Sequence, residues 1–213
     1  MEFDFESYLS ALERSVSYLE RDGKSANAVT LARSIATTPA DLWDAVTNKE
    51  RIPRWFSGIS GDLELGGKFQ IEGNASCTIT ACEPQAHFAL TWEFAGDVSW
   101  VEVRLTETGI GSVQLSLTHT ALLSPFWDQY GPGAVGVGWE TAFLGLTLLL
   151  EQPGWTKPDE MEFATSAAGK AFISGSSEGW AQASIAAGTD TEKAHAAARN
   201  TTAFYTGAEA SPS

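Results

Sequence analysis

Positive charge is what this chain has least of. Lysine and arginine number 13 in 213 residues against 27 aspartates and glutamates, giving a net charge of -14. From Leu105 to Thr156 no lysine or arginine occurs. Such a surface repels phosphate backbones and anionic headgroups, which argues against nucleic acid and membranes as partners. The small cluster Lys49, Arg51 and Arg54 does not reverse this. Cysteines number two and histidines three. Cys77 and Cys82 stand five apart in one strand-like run, so strict alternation sends them to opposite faces and they should not bridge. Free thiols fit a reducing compartment. His87, His119 and His195 have no second His or Cys at ligand spacing, so no metal site is read. The segment MEFDFESYLSALERSVSYLERDG carries acids early and lacks the continuous apolar stretch of a signal peptide. Val135 to Leu150, the most apolar segment, is short for a bilayer and contains Glu140. A soluble, cytoplasmic protein is expected.

What the chain does have is a characteristic order of apolar segments. Phe5, Leu9, Leu12, Val16 and Leu19 recur at steps of three and four, which predicts an N-terminal helix within residues 1–25, ended by Asp22-Gly23. Lys24 to Asn27 reads as a linker into a strand, Val29 to Ile35. Thr38-Pro39-Ala40-Asp41 is a helix start, with a hydroxyl cap, proline at the first position and an acid at the third. A short helical stretch runs from Pro39 to Phe56, restarted by Pro53. Strand-like runs follow at Asp62 to Leu65, Phe69 to Glu72, Cys77 to Cys82, Phe88 to Phe94, Trp100 to Thr106 and Val113 to His119, with Gly66-Gly67 as a hairpin turn. In the last three runs Phe88, Leu90, Trp92 and Phe94, then Val101, Val103 and Leu105, then Val113, Leu115, Leu117 and His119 form one apolar face. Glu93, Glu102, Arg104 and Gln114 lie on the other.

A one-sided sheet needs a cover, and Gly133 to Gln152 supplies it. This helix is apolar nearly all round, so something besides the sheet must bury it. The remaining helical patterns are the candidates. One opens at Pro158-Asp159 toward Ile173, one is capped at Ser176 or Ser177 and includes Trp180, and one starts at the capping-box spacing of Thr189 and Glu192 and ends at Gly207. The tail 208–213 should be disordered. The fold class is therefore α+β: a curved antiparallel sheet closed round a long helix (26–155), preceded by an N-terminal helix and followed by a helical extension (156–207).

Two familiar patterns fail on context. Gly131-Pro132-Gly133-Ala134-Val135-Gly136 spells a dinucleotide fingerprint, but no strand feeds it and no parallel strand follows, so no cofactor is expected. Gly175-Ser176-Ser177-Glu178-Gly179 spells a nucleophile elbow, but it lies among helices rather than on a strand of a parallel sheet. His119 ends an apolar face; a satisfied core histidine is the ordinary reading, and it is the one candidate for acid-base work. Glu93 or Arg104 would follow only if the faces were reversed. Gly136, Gly138 and Gly145 thin the covering helix, either to admit a ligand or to admit close packing by the C-terminal helices. A cavity between sheet and helix would be lined by Trp55, Phe69, Trp92, Val103, Leu115, His119, Trp139 and Phe143.

Leu42-Trp43-Asp44-Ala45-Val46-Thr47-Asn48 through Arg54-Trp55-Phe56 resembles the START-related SRPBCC superfamily, in the branch similar to the C-terminal domain of the activator of heat-shock protein 90 ATPase. Asp62-Leu63-Glu64-Leu65-Gly66-Gly67-Lys68-Phe69, Leu90-Thr91-Trp92-Glu93, Val113 to His119 and Gly138-Trp139-Glu140 carry the same resemblance, over about residues 26 to 152. It implies a helix-grip fold. Members bind apolar small molecules, act as cyclases or hydrolases, or bind a chaperone, and no fixed catalytic residues carry over. The chain departs from the chaperone activator in having no large N-terminal chaperone-binding domain, and it adds the C-terminal extension. The resulting expectation is an apolar small-molecule binding protein. The alternatives are a cyclase or hydrolase using the same cavity, or a chaperone-associated module with a protein partner or a homodimer.

Overall fold

The computed structural model describes residues 4–152 and 154–208. It contains two compact units, one formed by residues 1–31, 122–141 and 158–213, the other by residues 32–121 and 142–157.

In the first unit the N-terminal helix is much shorter than its periodicity predicts. α1 spans Phe5–Ser10, with the Asp4 carboxylate accepting from the Ser7 N–H at 3.0 Å. The chain then turns to strand: β1 (Glu13–Arg21) returns through Asp22-Gly23 into β2 (Lys24–Ile35), so the presumed linker at Lys24 to Asn27 is strand as well. Asp22 and Gly23 have φ of +52° and +73°, the pair of positive values that a two-residue I′ hairpin turn requires. The apolar steps of three and four hid an alternation of Arg14, Val16 and Tyr18 against Ser15, Ser17 and Leu19, and the Asp-Gly pair is a hairpin signal rather than a helix stop.

The second unit holds the strand train. α2 (Pro39–Thr47) is capped by Thr38, which accepts from the Asp41 N–H at 3.2 Å, and Pro53 restarts the chain in a single 3-10 turn at Ile52–Arg54. Then come β3 (Ile59–Gly61), β4 (Lys68–Ile71), β5 (Ser76–Glu83), β6 (His87–Phe94), β7 (Asp97–Gly109) and β8 (Ser112–Leu122). The strand expected at Asp62 to Leu65 is a loop, and the strand is displaced to 59–61. Gly61 sits at φ +111° where a Cβ would lie 2.4 Å from the Lys68 carbonyl oxygen, and the loop is tied down by Gly66 N–H donating to Ile79 O at 2.8 Å. The strands form one curved antiparallel sheet in the order β1-β2-β8-β7-β6-β5-β4-β3.

The register of β5 corrects the cysteine geometry. Cys77 pairs with Trp92 and Cys82 with Phe88, because a bulge between Ile79 and Ala81 shifts the ladder by one residue. Both therefore belong to the same face. They remain unbridged because five residues of strand span about 16 Å, far beyond disulfide reach.

α3 (Pro125–Tyr130), α4 (Gly133–Glu151), α5 (Glu160–Thr165), α6 (Ala167–Ala186) and α7 (Thr191–Thr206) complete the elements. The helix expected to run from Pro158 toward Ile173 breaks at Ser166, which ends α5 and caps α6 by accepting from Gly169 N–H at 2.9 Å. Ser176 and Ser177 are not caps; both are buried in the middle of α6. α7 is capped by Asp190, one residue after the expected threonine, and closes on Gly207 at φ +65°. Residues 209–213 of the expected tail lie outside the described residues.

The glycines of α4 resolve the choice between room for a ligand and close packing. In the first unit an added Cβ at Gly136 would stand 2.1 Å from Cε2 of Trp180, and at Gly138 it would stand 3.0 Å from the Tyr205 hydroxyl. In the second unit one at Gly145 would stand 2.7 Å from the carbonyl oxygen of Trp55. All three admit neighbours, and α6 and α7 do lie against the first half of α4. At 19 residues α4 ends one residue before the expected Gln152, and by length and composition it could cross a bilayer although its most apolar segment, Val135 to Leu150, is short for one. It nonetheless carries a fully buried Glu140 and is the gripped helix of a helix-grip fold.

Candidate functional site

Residues paired directly across antiparallel strands share a face, so the register defines the site within the second unit. Phe69 pairs with Cys77, Cys77 with Trp92, Trp92 with Ser99, Ile79 with Leu90, Leu90 with Val101, Val101 with His119 and Val103 with Leu117. This inner face is continuous over five strands. Val103, Leu115 and His119 are buried, as is Phe143 on the half of α4 that belongs to this unit. Phe69 and Trp92 are half-buried. Trp55 is also in this unit, its Nε1–H donating to Ala45 O at 3.0 Å and its ring 5.5 Å from that of Phe56, which holds it to α2. Trp139 falls in the other unit.

His119 is the polar end of this face. Its Nε2 is 2.8 Å from Ser99 Oγ, its ring centroid lies 5.9 Å from that of Trp92, and Ser99 Oγ reaches the Trp92 carbonyl at 3.3 Å. Burial pushes the imidazole down to about 4, so it is neutral near pH 7. Burial, reinforced by the nearby Glu93 charge, pushes the Cys77 thiol up to about 12, so that group is neutral too. A serine hydroxyl bonded to an imidazole is the pairing found in activated nucleophiles, but a base at about 4 lies far from the value that serves best at neutral pH. Ser99 lies just outside the strand expected at Trp100 to Thr106, whereas β7 begins at Asp97. The signal was there: the period of two through Leu105, Val103 and Val101 continues to Ser99.

A second polar cluster lies in the first unit. Arg14 donates from Nε to Glu140 Oε1 at 2.6 Å and from Nη2 to Oε2 at 3.0 Å, with Nη1 donating to Leu9 O at 3.2 Å. Burial lifts the Glu140 carboxyl above its ordinary range against the pull of Arg14; Ser176 Oγ and Trp180 Nε1 stand near it without hydrogen-bond geometry. Arg14 reaches this position across Gly179, where a Cβ would lie 2.8 Å from the guanidinium, and Gly175 likewise admits Leu9. The elbow-like glycines are thus packing glycines. A carboxylate in an apolar helix demands a partner, but nothing in the sequence points from Glu140 to Arg14, 126 positions away. His87 bonds Glu102 at 2.9 Å and His195 bonds Glu178 at 3.1 Å, both partly exposed pairs. Among the described residues no group of three His, Cys, Asp or Glu could hold a metal ion.

Residues 36–151 match the family described as Activator of Hsp90 ATPase homolog 1-like protein. The crystal structure of CalU16 from Micromonospora echinospora is 28% identical over 84% of this chain and 99% of that one, with a TM-score of 0.67. Its solution structure gives 29%, 83%, 97% and 0.69. This likeness extends beyond the family match into the flanking segments. DynU16, a protein of the dynemicin biosynthetic locus, shares the fold at 21% identity, covering 59% of this chain and 47% of that one, with a TM-score of 0.53. Comparison with curated proteins gives no match. With more than half its length matched and a helix-grip architecture, the chain belongs to the Activator of Hsp90 ATPase homolog 1-like family, within the SRPBCC group.

Proposed function

We propose that this protein binds an apolar small molecule on the inner face of the second unit's sheet, against the α4 residues of the same unit. The observation that carries this reading is the face itself: aromatic and aliphatic side chains over five strands, with one hydrogen-bonded polar pair, Ser99 and His119, at its end. Ligand sites have this composition, mostly apolar walls with few convergent polar groups. The test is native mass spectrometry for a co-purified molecule, joined to thermal unfolding with apolar probes. A ligand at a hundredfold excess over its Kd stabilises by about 2.7 kcal/mol, which raises Tm by about 5–10 °C in a protein of this size. No bound mass and no shift with any apolar probe would sink the reading.

The 2.8 Å contact between Ser99 and His119 also favours a second reading, hydrolase chemistry with Ser99 as nucleophile. That reading requires turnover of an apolar ester that disappears in Ser99→Ala. The depressed imidazole argues that none will be seen.

A further inference from the structure

Resting on the binding reading above, the geometry points to the ligand's chemical class: we infer that the inner face takes an uncharged apolar molecule carrying a single hydrogen-bonding oxygen, a phenol, alcohol or ketone, and that Ser99 Oγ, positioned by His119, is the group that meets it.

The argument starts from where charge occurs along the face. Following the register, its charged members are Asp97 and Glu107, both exposed at the ends of β7. Between them β7 contributes Ser99, Val101, Val103 and Leu105. A ligand carboxylate would find no lysine or arginine among the residues that β4 to β8 contribute to this face, and the surrounding chain carries a net charge of -14. An ammonium would find no carboxylate between those two ends. The buried titratable groups within the face are His119 and Cys77, with Glu93 adjacent to Cys77 on the opposite side of β6 and Cys82 exposed near the end of β5. Burial keeps both of the former neutral, so neither would pair with an ion without a protonation change that opposes its surroundings. Burying an unpaired charge there would be far costlier than burying a neutral oxygen that is hydrogen-bonded.

Ser99 is suited to recognise that oxygen. It is half-buried at the polar end of the face, and its hydroxyl offers one proton and two lone pairs. One contact goes to His119 Nε2 at 2.8 Å, while the contact to the Trp92 carbonyl is long at 3.3 Å. The hydroxyl can exchange that long contact for a ligand oxygen while the imidazole fixes its position. Trp92, 5.9 Å from the imidazole, provides the aromatic surface next to it.

Four bicyclic probes of one shape test the inference by calorimetric or tryptophan-fluorescence titration: 1-naphthol, naphthalene, 1-naphthoate and 1-naphthylmethylammonium, each against the native protein and Ser99→Ala. The expected result is that 1-naphthol binds the native protein about fivefold tighter than naphthalene, the worth of one net hydrogen bond. Both ions should bind at least tenfold weaker than 1-naphthol. Ser99→Ala should bring 1-naphthol down to the naphthalene value while leaving naphthalene unchanged. Equal affinities for 1-naphthol and naphthalene, or a 1-naphthol affinity unmoved by Ser99→Ala, would overturn the anchor while leaving apolar binding intact. Tighter binding of either ion would overturn the charge argument. Binding of none of the four would remove the underlying reading. A single cooperative thermal transition of Ser99→Ala without ligand shows that the comparison is made on folded protein.

Discussion

Acid should weaken this fold through one imidazole. His119 is 7% exposed, and burial lowers its pKa from 6.5 to about 4. The neutral ring is the native form, so the unfolded chain binds the proton more readily throughout that interval. The contribution is complete above pH 6.5 and is lost as pH falls toward 4. An interval of this width corresponds to about 3 kcal/mol at about 1.4 kcal/mol per pH unit. The assay is urea unfolding followed by tryptophan fluorescence at pH 7, 6, 5 and 4.5, for the native protein and for His119→Gln, which keeps a neutral hydrogen-bonding side chain. Glu140 acts with the opposite sign, since a raised carboxyl pKa makes the fold gain as pH falls, but both proteins carry it and it cancels in the difference. Between pH 6.5 and 4.5 the native protein should lose about 2 kcal/mol more than the variant, a difference in midpoint of about 1 M urea. Parallel pH profiles for the two proteins would refute the claim that His119 is held neutral by burial.

Three further outcomes follow from packing and pairing. Gly136→Ala places a methyl group 2.1 Å from a Trp180 ring that is 1% exposed, so it should cost about 2–3 kcal/mol in thermal unfolding, and more than Gly138→Ala, which meets only the end of the Tyr205 side chain. Equal stabilities of the two variants would contradict the packing assigned to α4. Arg14→Ala strands the buried Glu140 carboxylate and should cost about 3–5 kcal/mol, most of it recovered when Arg14→Met is combined with Glu140→Leu; denaturant titration of all three proteins decides this, and a loss below about 1 kcal/mol for Arg14→Ala would show that the pair does not depend on its cation. Cys82 is exposed and Cys77 buried with its thiol pushed up to about 12, so a thiol reagent at pH 8 should modify one cysteine in the native protein and the second only after unfolding. Two fast-reacting thiols would contradict the inner-face placement of Cys77.

The segments that were legible in the sequence are those whose periodicity has one interpretation. Val101, Val103 and Leu105 alternate with charged residues, and Val113 to His119 repeat the pattern, so β7, β8 and the buried position of His119 follow from the residues alone. α4 followed from its length and apolarity. Glu13 to Arg21 was misread because its few apolar residues satisfy both a helical step and a strand alternation, and only Asp22-Gly23 distinguishes them. The cysteine faces were misread because a bulge is invisible to counting: an extra residue at position 80 reverses parity for everything after it. Ser99 and Arg14 were missed for a different reason. Their roles come from partners 20 and 126 positions away, and single-sequence patterns carry no information about which distant groups meet.

The most direct test of the binding claim is a methyl and indole NMR titration with 1-naphthol. The account predicts saturable, one-to-one shifts concentrated at Val103, Leu115, Leu117 and the Trp92 indole. Shifts that do not saturate, or that fall only on residues of the first unit such as Val16 and Trp180, would contradict it.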